Sequence, residues 1–204
     1  MITTIFFDIG NVLVGFDHTL IWQRLASFSA LSAEALQRNV QEAELMPRHE
    51  TGQLPPHELF RQIRQQAQLL PSLSYETFSR LWADIFWEHT PIVQLAGILQ
   101  RNYTIGLLSN VGEIHWNWLL QNFSIFRQVT PDMRVLSFQV GAMKPADDIY
   151  QAAFLKAQAD PEQCLYIDDI HEYIAASRKL GLQAIHYQSQ EQLQQELEQL
   201  QIMM

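Results

Sequence analysis

Short apolar runs alternate with helix-length segments along most of this chain. Four of the runs cover residues 5–7, 104–108, 164–167 and 182–187. Each is apolar on both faces, which is typical of strands buried inside a parallel sheet. Parallel strands need long crossover connections, and the segments between these runs are long enough to be helices. The pattern therefore predicts an α/β fold, with a parallel sheet flanked by helices.

A different pattern occupies residues 15–89, where apolar and aromatic positions recur at helical spacing. Three stretches carry it: 19–29, 56–70 and 75–87. Proline and glycine separate them. We expect a small all-α cap inserted after the first strand, lying over the strand ends or packed beside the core. The core would then comprise residues 1–14 and 90–204, ending in an amphipathic helix over 191–201.

Composition narrows the range of partners. The chain has 204 residues, enough for one core plus a smaller inserted unit, and a net charge of -9. No basic cluster is present to bind a phosphate backbone, so a nucleic-acid partner is not expected. The single cysteine, Cys164, has no partner for an internal disulfide, and no apolar run approaches the roughly 20 residues of a membrane helix. We expect a cytoplasmic protein without a membrane partner, either a monomer or a homodimer.

Polar side chains follow the predicted strands at the edge where α/β sheets bind their ligands. They are Asp8, Ser109, Asn110, Asp168 and Asp169, and Lys144 lies in a loop between two of the strands. Together they offer a carboxylate nucleophile, a hydroxyl, an ammonium group and paired carboxylates for a hard cation. These are the groups that phosphoryl transfer requires.

Four motifs occur in a fixed order. They are D-x-G-N-V from Asp8, L-S-N at 108–110, K-P-x-x-x-I-Y at 144–150 and Y-I-D-D at 166–169. This order resembles the haloacid dehalogenase-like (HAD) hydrolase superfamily over essentially the whole chain. It is most similar to the branch containing bacterial α-D-glucose-1-phosphate phosphatases and the phosphatase domain of bifunctional epoxide hydrolases. The resemblance implies a Rossmann-like core with a small helical cap.

The resemblance also implies an activity: Mg²⁺-dependent hydrolysis of a small phosphomonoester, a sugar phosphate, through an aspartyl-phosphate intermediate. Asp8 would be the nucleophile and Lys144 a second catalytic residue. Ser109, Asn110 and Lys144 would bind the phosphoryl oxygens, although Asn110 equally suits a contact to Asp8 or the closing of a turn. The Mg²⁺ ligands would be Asp8, the Gly10 carbonyl and Asp169, with Asp168 as a further ligand or as their support.

Two positions depart from the family pattern. Most phosphatases of the superfamily have a second aspartate where this chain has Gly10, and that aspartate moves a proton to and from the leaving group. Losing such a group typically costs about 10²- to 10⁴-fold in rate. Asp17, His18 and His115 are candidate replacements; alternatively, a sugar 1-phosphate has a leaving oxygen that needs little protonation. The second departure is Tyr173, where related phosphatases tend to have Asn or Asp.

One segment of the cap contains candidate residues for recognising the substrate. Residues 48–54 resemble the E-x-G turn in the caps of these phosphatases, so Arg48 or His49 would face a sugar or a second phosphate, unless the segment is only a charged turn between helices.

Two other functions remain open. A haloacid dehalogenase also lacks the second aspartate, but the acidic pair Asp168 and Asp169 would oppose an anionic haloacid. The other is a non-catalytic phosphate-binding or regulatory protein that has lost its proton-transfer residue.

Overall fold

The structure, a computed structural model, describes residues 1–203. Its strands in chain order are β1 (Thr4–Phe7), β2 (Val14–Phe16), β3 (Phe86–Glu88), β4 (Thr104–Ser109), β5 (Arg134–Leu136), β6 (Cys164–Asp168) and β7 (Gln183–His186). Five of them form one parallel sheet in the order β5-β4-β1-β6-β7. The predicted α/β fold with a parallel sheet flanked by helices is confirmed.

Twelve α-helices are present among the described residues. They are α1 (Thr19–Ala26), α2 (Ala33–Glu42), α3 (Leu45–Glu50), α4 (Pro56–Gln66), α5 (Tyr75–Ala83), α6 (Thr90–Leu99), α7 (Glu113–Asn122), α8 (Ser124–Gln128), α9 (Ser137–Val140), α10 (Asp147–Ala157), α11 (His171–Lys179) and α12 (Gln190–Gln199). The hydroxyls of Ser32, Ser74 and Ser189 accept hydrogen bonds from the first turns of α2, α5 and α12 and so fix where these helices begin. Across residues 1–203, no helix is both long enough and apolar enough to cross a membrane.

The core sheet is built around β1, whose four residues are all buried. β1 pairs in parallel with β4 on one side and β6 on the other, and the Asp8 N–H extends the ladder by donating to the Ile167 carbonyl. The sequence pattern did not identify β2, β3 or β5, each of which has three residues and is too short to show a period. The helical stretch predicted over 75–87 is correct only as far as Ala83, because Phe86–Glu88 form β3.

The helices α1–α5 lie between the two strands of an antiparallel ribbon, in which Val14 pairs with Glu88 and Phe16 with Phe86. These helices bury an apolar cluster of their own that includes Leu25, Phe78 and Trp82, while a second cluster surrounds the parallel sheet. The cap helices therefore pack their apolar residues mainly against one another, and Ile114 of α7 joins the same cluster. The division of the chain at residues 15–89 stays a prediction.

Specific contacts fix the helical cap against the sheet. A Cβ atom added to Gly112 would lie 2.3 Å from Cδ2 of His49, and one added to Gly52 would lie 2.3 Å from the carbonyl oxygen of Phe138. Gly52 also has a φ of +72°, which favours glycine. Both contacts join a cap residue to a core residue at the carboxyl end of the sheet. The absence of a side chain is thus what lets the cap approach so closely.

Candidate active site

Three core strands and one loop bring the predicted polar residues together. Asp8 follows β1 directly, whereas Ser109 and Asp168 are the last residues of β4 and β6. Lys144 comes from the loop before α10, and its peptide bond to Pro145 is cis. All four residues are buried. Because neighbouring parallel strands end at the same edge, residues distant in sequence form one cluster.

Lys144 is the centre of this cluster. Its Nζ lies 2.9 Å from Asp8 Oδ1 and 2.7 Å from Asp168 Oδ2. It also donates to the Tyr166 hydroxyl at 2.8 Å and to the Leu108 carbonyl at 3.3 Å. Burial by itself lowers the pKa of Lys144, but the charges of Asp8 and Asp168 raise it above its usual value. The ammonium group therefore stays charged, and it compensates carboxylates that would otherwise be costly to bury.

Asp8 is a buried carboxylate that shares one cation with a second carboxylate. Its Oδ1 lies 2.9 Å from Lys144 Nζ, which also pairs with Asp168. Burial raises the pKa of Asp8 to about 6; the ammonium of Lys144 opposes this rise, and the charge of Asp168 adds to it. One ammonium group thus serves two buried carboxylates, and a further cation would lower the cost of keeping both charged.

The acidic cluster fits a divalent cation. One carboxylate oxygen from each of Asp8, Asp168 and Asp169 lies within 4.8 Å of the others. Hard oxygen ligands in small number are what Mg²⁺ prefers. Both oxygens of Asp168 are engaged, one by the Ile170 N–H at 2.7 Å and the other by Lys144 and Tyr166. Asp8 and Asp169 are thus freer than Asp168 to bind a metal.

Gly10 offers a carbonyl group and little space for a side chain. The backbone bonds around it run from Asn11 N to Val14 O and from Val14 N to Ile9 O, so neither uses the Gly10 carbonyl. A Cβ atom added to Gly10 would lie 2.8 Å from Cε1 of Phe16. An aromatic ring therefore occupies the direction in which a second aspartate would extend.

Asn110 holds the loop that carries Lys144. Its Oδ1 accepts a hydrogen bond from the Lys144 N–H at 2.8 Å, and its Nδ2 donates to the Lys144 carbonyl at 3.0 Å. The same Nδ2 lies 3.4 Å from the hydroxyl of Tyr173, whose ring centre is 4.9 Å from Lys144 Nζ. The structure thus shows that Asn110 positions Lys144, and the three roles predicted for Asn110 stay predictions. Tyr173 faces the same lysine.

The three candidate proton-transfer residues occupy different environments. Asp17 Oδ1 accepts hydrogen bonds from the N–H and hydroxyl of Thr19 at the start of α1, and these lower the pKa of Asp17. His18 lines a small cavity beside Gly10, and more than a third of its surface is exposed. His115 lines the same cavity from α7, and it is buried.

His115 links the core to the cap. Its Nε2 lies 3.1 Å from the carbonyl oxygen of Trp82 in α5. Because a carbonyl can only accept, Nε2 must carry the proton. Burial, together with the nearby His18, lowers the pKa of His115 to about 3, so its ring is neutral at pH 7.

The low pKa of His115 predicts that the folded protein loses stability in acid. Unfolded His115 takes up a proton below about pH 6.5, whereas the folded protein resists protonation down to about pH 3. Stability is therefore lost as pH falls through this range, by about 1.4 kcal/mol per pH unit. Between pH 7 and pH 5, the wild type should lose about 2 kcal/mol more than His115→Gln, measured by urea unfolding. The exposed His171→Gln is the control, and equal losses in wild type and His115→Gln would contradict the prediction.

Arg48 and His49, the cap residues predicted to face the substrate, differ in exposure and in hydrogen-bond partner. Arg48 is exposed and donates to the Gln62 side chain at 3.3 Å, on the outside of the cap. His49 is buried, and its Nδ1 lies 2.8 Å from the Leu54 carbonyl oxygen. Each thus makes a contact within the cap itself.

Three residues of this region escaped the sequence reasoning. Asn11 donates from Nδ2 to Asp169 Oδ2 at 3.0 Å and has a φ of +55°. Tyr166 donates its hydroxyl to Asp168. Glu50, at the end of α3, lines the cavity beside Gly10. Strand alternation puts Tyr166 on the same face as Asp168 and could have suggested its role. Glu50 is the glutamate of the E-x-G turn in the cap sequence, although that motif gave no reason to place it beside Gly10.

Known proteins share this architecture. The family model for haloacid dehalogenase-like hydrolases matches residues 2–181. A D-ribitol-5-phosphate phosphatase from Bacteroides thetaiotaomicron is 25% identical over 203 residues, which cover 97% of either chain.

Solved structures give the same picture of the fold. A HAD family enzyme from Bacteroides thetaiotaomicron, crystallised with magnesium and inorganic phosphate, has a TM-score of 0.79 at 22% identity, covering 93% of this chain and 96% of the other. An L-2-haloacid dehalogenase from Xanthobacter autotrophicus, with chloropropionic acid covalently bound, has a TM-score of 0.63 at 15% identity, covering 100% and 85%.

Proposed function

The chain belongs to the haloacid dehalogenase-like hydrolase family, and we infer that within this family it is a Mg²⁺-dependent phosphatase acting on a small sugar-type phosphomonoester. The observation that carries the proposal is the cluster formed by the buried residues Asp8, Lys144 and Asp168 with the half-buried Asp169. One cation and three carboxylates leave excess negative charge in a buried site. A divalent cation balances that charge, and the phosphoryl group of a substrate can then be accepted.

Each residue of the cluster has a defined task in phosphoryl transfer. Asp8 attacks phosphorus and becomes an aspartyl-phosphate, which water then hydrolyses. Lys144 and Ser109 lie next to Asp8 and stabilise the negative charge on the phosphoryl oxygens. Asp8, Asp169 and the Gly10 carbonyl would hold Mg²⁺, with Asp168 fixing Lys144. When bound, the metal would supply positive charge that balances the negative charge developing during phosphoryl transfer.

The acidic cluster also favours a phosphatase over the two alternatives. A dehalogenase attacks carbon in an anionic haloacid, and Asp168 and Asp169 beside Asp8 would repel that anion. A non-catalytic binding protein has no need for a buried carboxylate held beside a buried ammonium group, as Asp8 is held beside Lys144. The resemblance to a D-ribitol-5-phosphate phosphatase supports a sugar or sugar-alcohol phosphate as substrate.

Substrate preference provides a test of this proposal. With Mg²⁺ present, the purified protein should hydrolyse at least one sugar or sugar-alcohol phosphate with a higher kcat/KM than p-nitrophenyl phosphate, because cap residues beside the site can contact the sugar. The measurement is phosphate release across a panel of pentose, hexose and polyol phosphates. Equal rates on every ester would argue against a substrate-selecting cap.

A further inference from the structure

The cavity beside Gly10 lies between the core and the cap. Its volume is about 70 Å³, which is roughly enough for a few water molecules. Gly10, Ser109 and His115 line it from the core, and His18 and Glu50 line it from the cap. It therefore adjoins both the loop of the nucleophile and a residue that contacts the phosphoryl group. A leaving group on the substrate would be close to this cavity.

Glu50 is the carboxyl group that lines this cavity. It is the last residue of α3 and is half-buried. Burial is the cause that raises the pKa of Glu50 to about 7. The ion pairs of residues 1–203 involve the carboxylates of Asp8, Glu58, Asp84 and Asp168, and none reaches Glu50. The carboxyl group is thus free to gain or lose a proton near neutral pH.

The other titratable groups around the cavity are less suited to proton transfer. The Nε2 proton of His115 is committed to the Trp82 carbonyl, and its neutral ring gains a second proton only near pH 3. His18 packs with its ring centre 4.8 Å from that of Phe16, and burial lowers its pKa. Asp17 is not among the residues lining the cavity. Glu50 is the one carboxyl side chain that lines the cavity, and burial raises its pKa to about 7.

We propose that Glu50, extending from the cap into the cavity beside Gly10, is the residue that transfers the proton to the leaving group in this phosphatase. The proposal rests on the proposed function. In this arrangement the catalytic groups come from both parts of the chain, because Glu50 belongs to the cap and Asp8 to the core.

Glu50 gives up its proton in the first step of the reaction and regains one in the second. In the first, an Asp8 oxygen bonds to phosphorus, the phosphorus–oxygen bond to the leaving group breaks, and that oxygen takes the proton of Glu50, leaving as an alcohol. In the second, water attacks the aspartyl-phosphate and gives a proton to the Glu50 carboxylate. The bond between Asp8 and phosphorus breaks, inorganic phosphate leaves, and both carboxyl groups return to their starting forms.

Glu50→Gln tests the proposal, because the amide keeps the size of the side chain but cannot supply the proton. In single-turnover experiments with Mg²⁺, the variant should cleave ribitol 5-phosphate about 10²- to 10⁴-fold more slowly than the wild type. Cleavage of p-nitrophenyl phosphate should fall by less than about 10-fold, since nitrophenolate leaves without a proton. With this ester the variant should also show a burst of one nitrophenolate per enzyme, followed by slow turnover.

The matched control is Glu42→Gln, an exposed glutamate at the end of α2, which should leave both rates unchanged. Equal rate losses on the two esters, or no loss on either, would overturn the role of Glu50. If the wild type releases phosphate from neither ester, the proposed function itself fails.

A second measurement covers the case in which Glu50→Gln does not fold. In the wild type alone, single-turnover rates across a series of phosphate esters should depend only weakly on the basicity of the leaving group. A steep fall in rate with rising basicity would show that no protein group protonates the leaving oxygen, and it would overturn the proposal.

Discussion

Asp8→Asn should lower phosphate release by about 10⁴-fold or more, since an amide cannot form the aspartyl-phosphate. The fold should survive the change. Lys144 loses one carboxylate partner but keeps Asp168 at 2.7 Å, so a balanced buried pair remains. The apparent melting temperature measured without metal should therefore not drop, while steady-state turnover of the preferred ester disappears.

The control for this substitution is Asp132→Asn, which changes an exposed aspartate outside the site and should retain full activity. A rapid-quench experiment adds a direct readout, because the wild type should carry one phosphoryl group on Asp8 during turnover and Asp8→Asn should carry none. Near-normal turnover by Asp8→Asn would show that another group, or water itself, attacks phosphorus.

Lys144→Met should have the second-largest effect, and it should act on both activity and stability. Losing the ammonium group removes a donor to the phosphoryl oxygens, which typically costs about 10²- to 10³-fold in kcat. It also leaves the buried carboxylates of Asp8 and Asp168 without a counter-charge. Breaking a buried ion pair in this way typically costs about 3–5 kcal/mol. Both effects can be measured, by steady-state kinetics and by urea unfolding without metal.

A double variant separates these two consequences. Adding Asp168→Asn to Lys144→Met removes one of the unpaired charges, so part of the lost stability should return while activity stays low. Mg²⁺ should likewise stabilise Lys144→Met more than it stabilises the wild type, because the cation replaces the missing charge. The exposed Lys179→Met serves as the control. An unchanged unfolding free energy in Lys144→Met would contradict the charge balance described for this site.

The positions of the main site residues followed from simple regularities of the sequence. Strands buried on both faces gave unbroken apolar runs, and the polar residues after them marked the edge of the sheet. Asp8, Ser109 and Asp168 were therefore predicted at one edge, where the structure has them. Lys144 depended on the family motif, since nothing in a loop lysine alone indicates that it will be buried between two carboxylates.

Residues held by tertiary contacts could not be predicted in the same way. Asn110 was assigned to the phosphate, to Asp8 or to a turn, and its pairing with the Lys144 backbone depends on how two distant loops meet. Glu50 reaches the site only because the cap packs on the core through Gly52 and Gly112. Periodicity within either part carries no information about that packing. The ring of Phe16 beside Gly10 depends on the β2–β3 ribbon in the same manner.

The most direct test of the central claim is phosphate release from the panel of sugar and polyol phosphates, measured with Mg²⁺ and again after chelation. The cluster of Asp8, Asp168 and Asp169 predicts release that needs the cation, is restored by adding Mg²⁺ back, and is absent in Asp8→Asn. Release that continues unchanged in the chelated protein, or no release from any ester with Mg²⁺ present, would contradict the account.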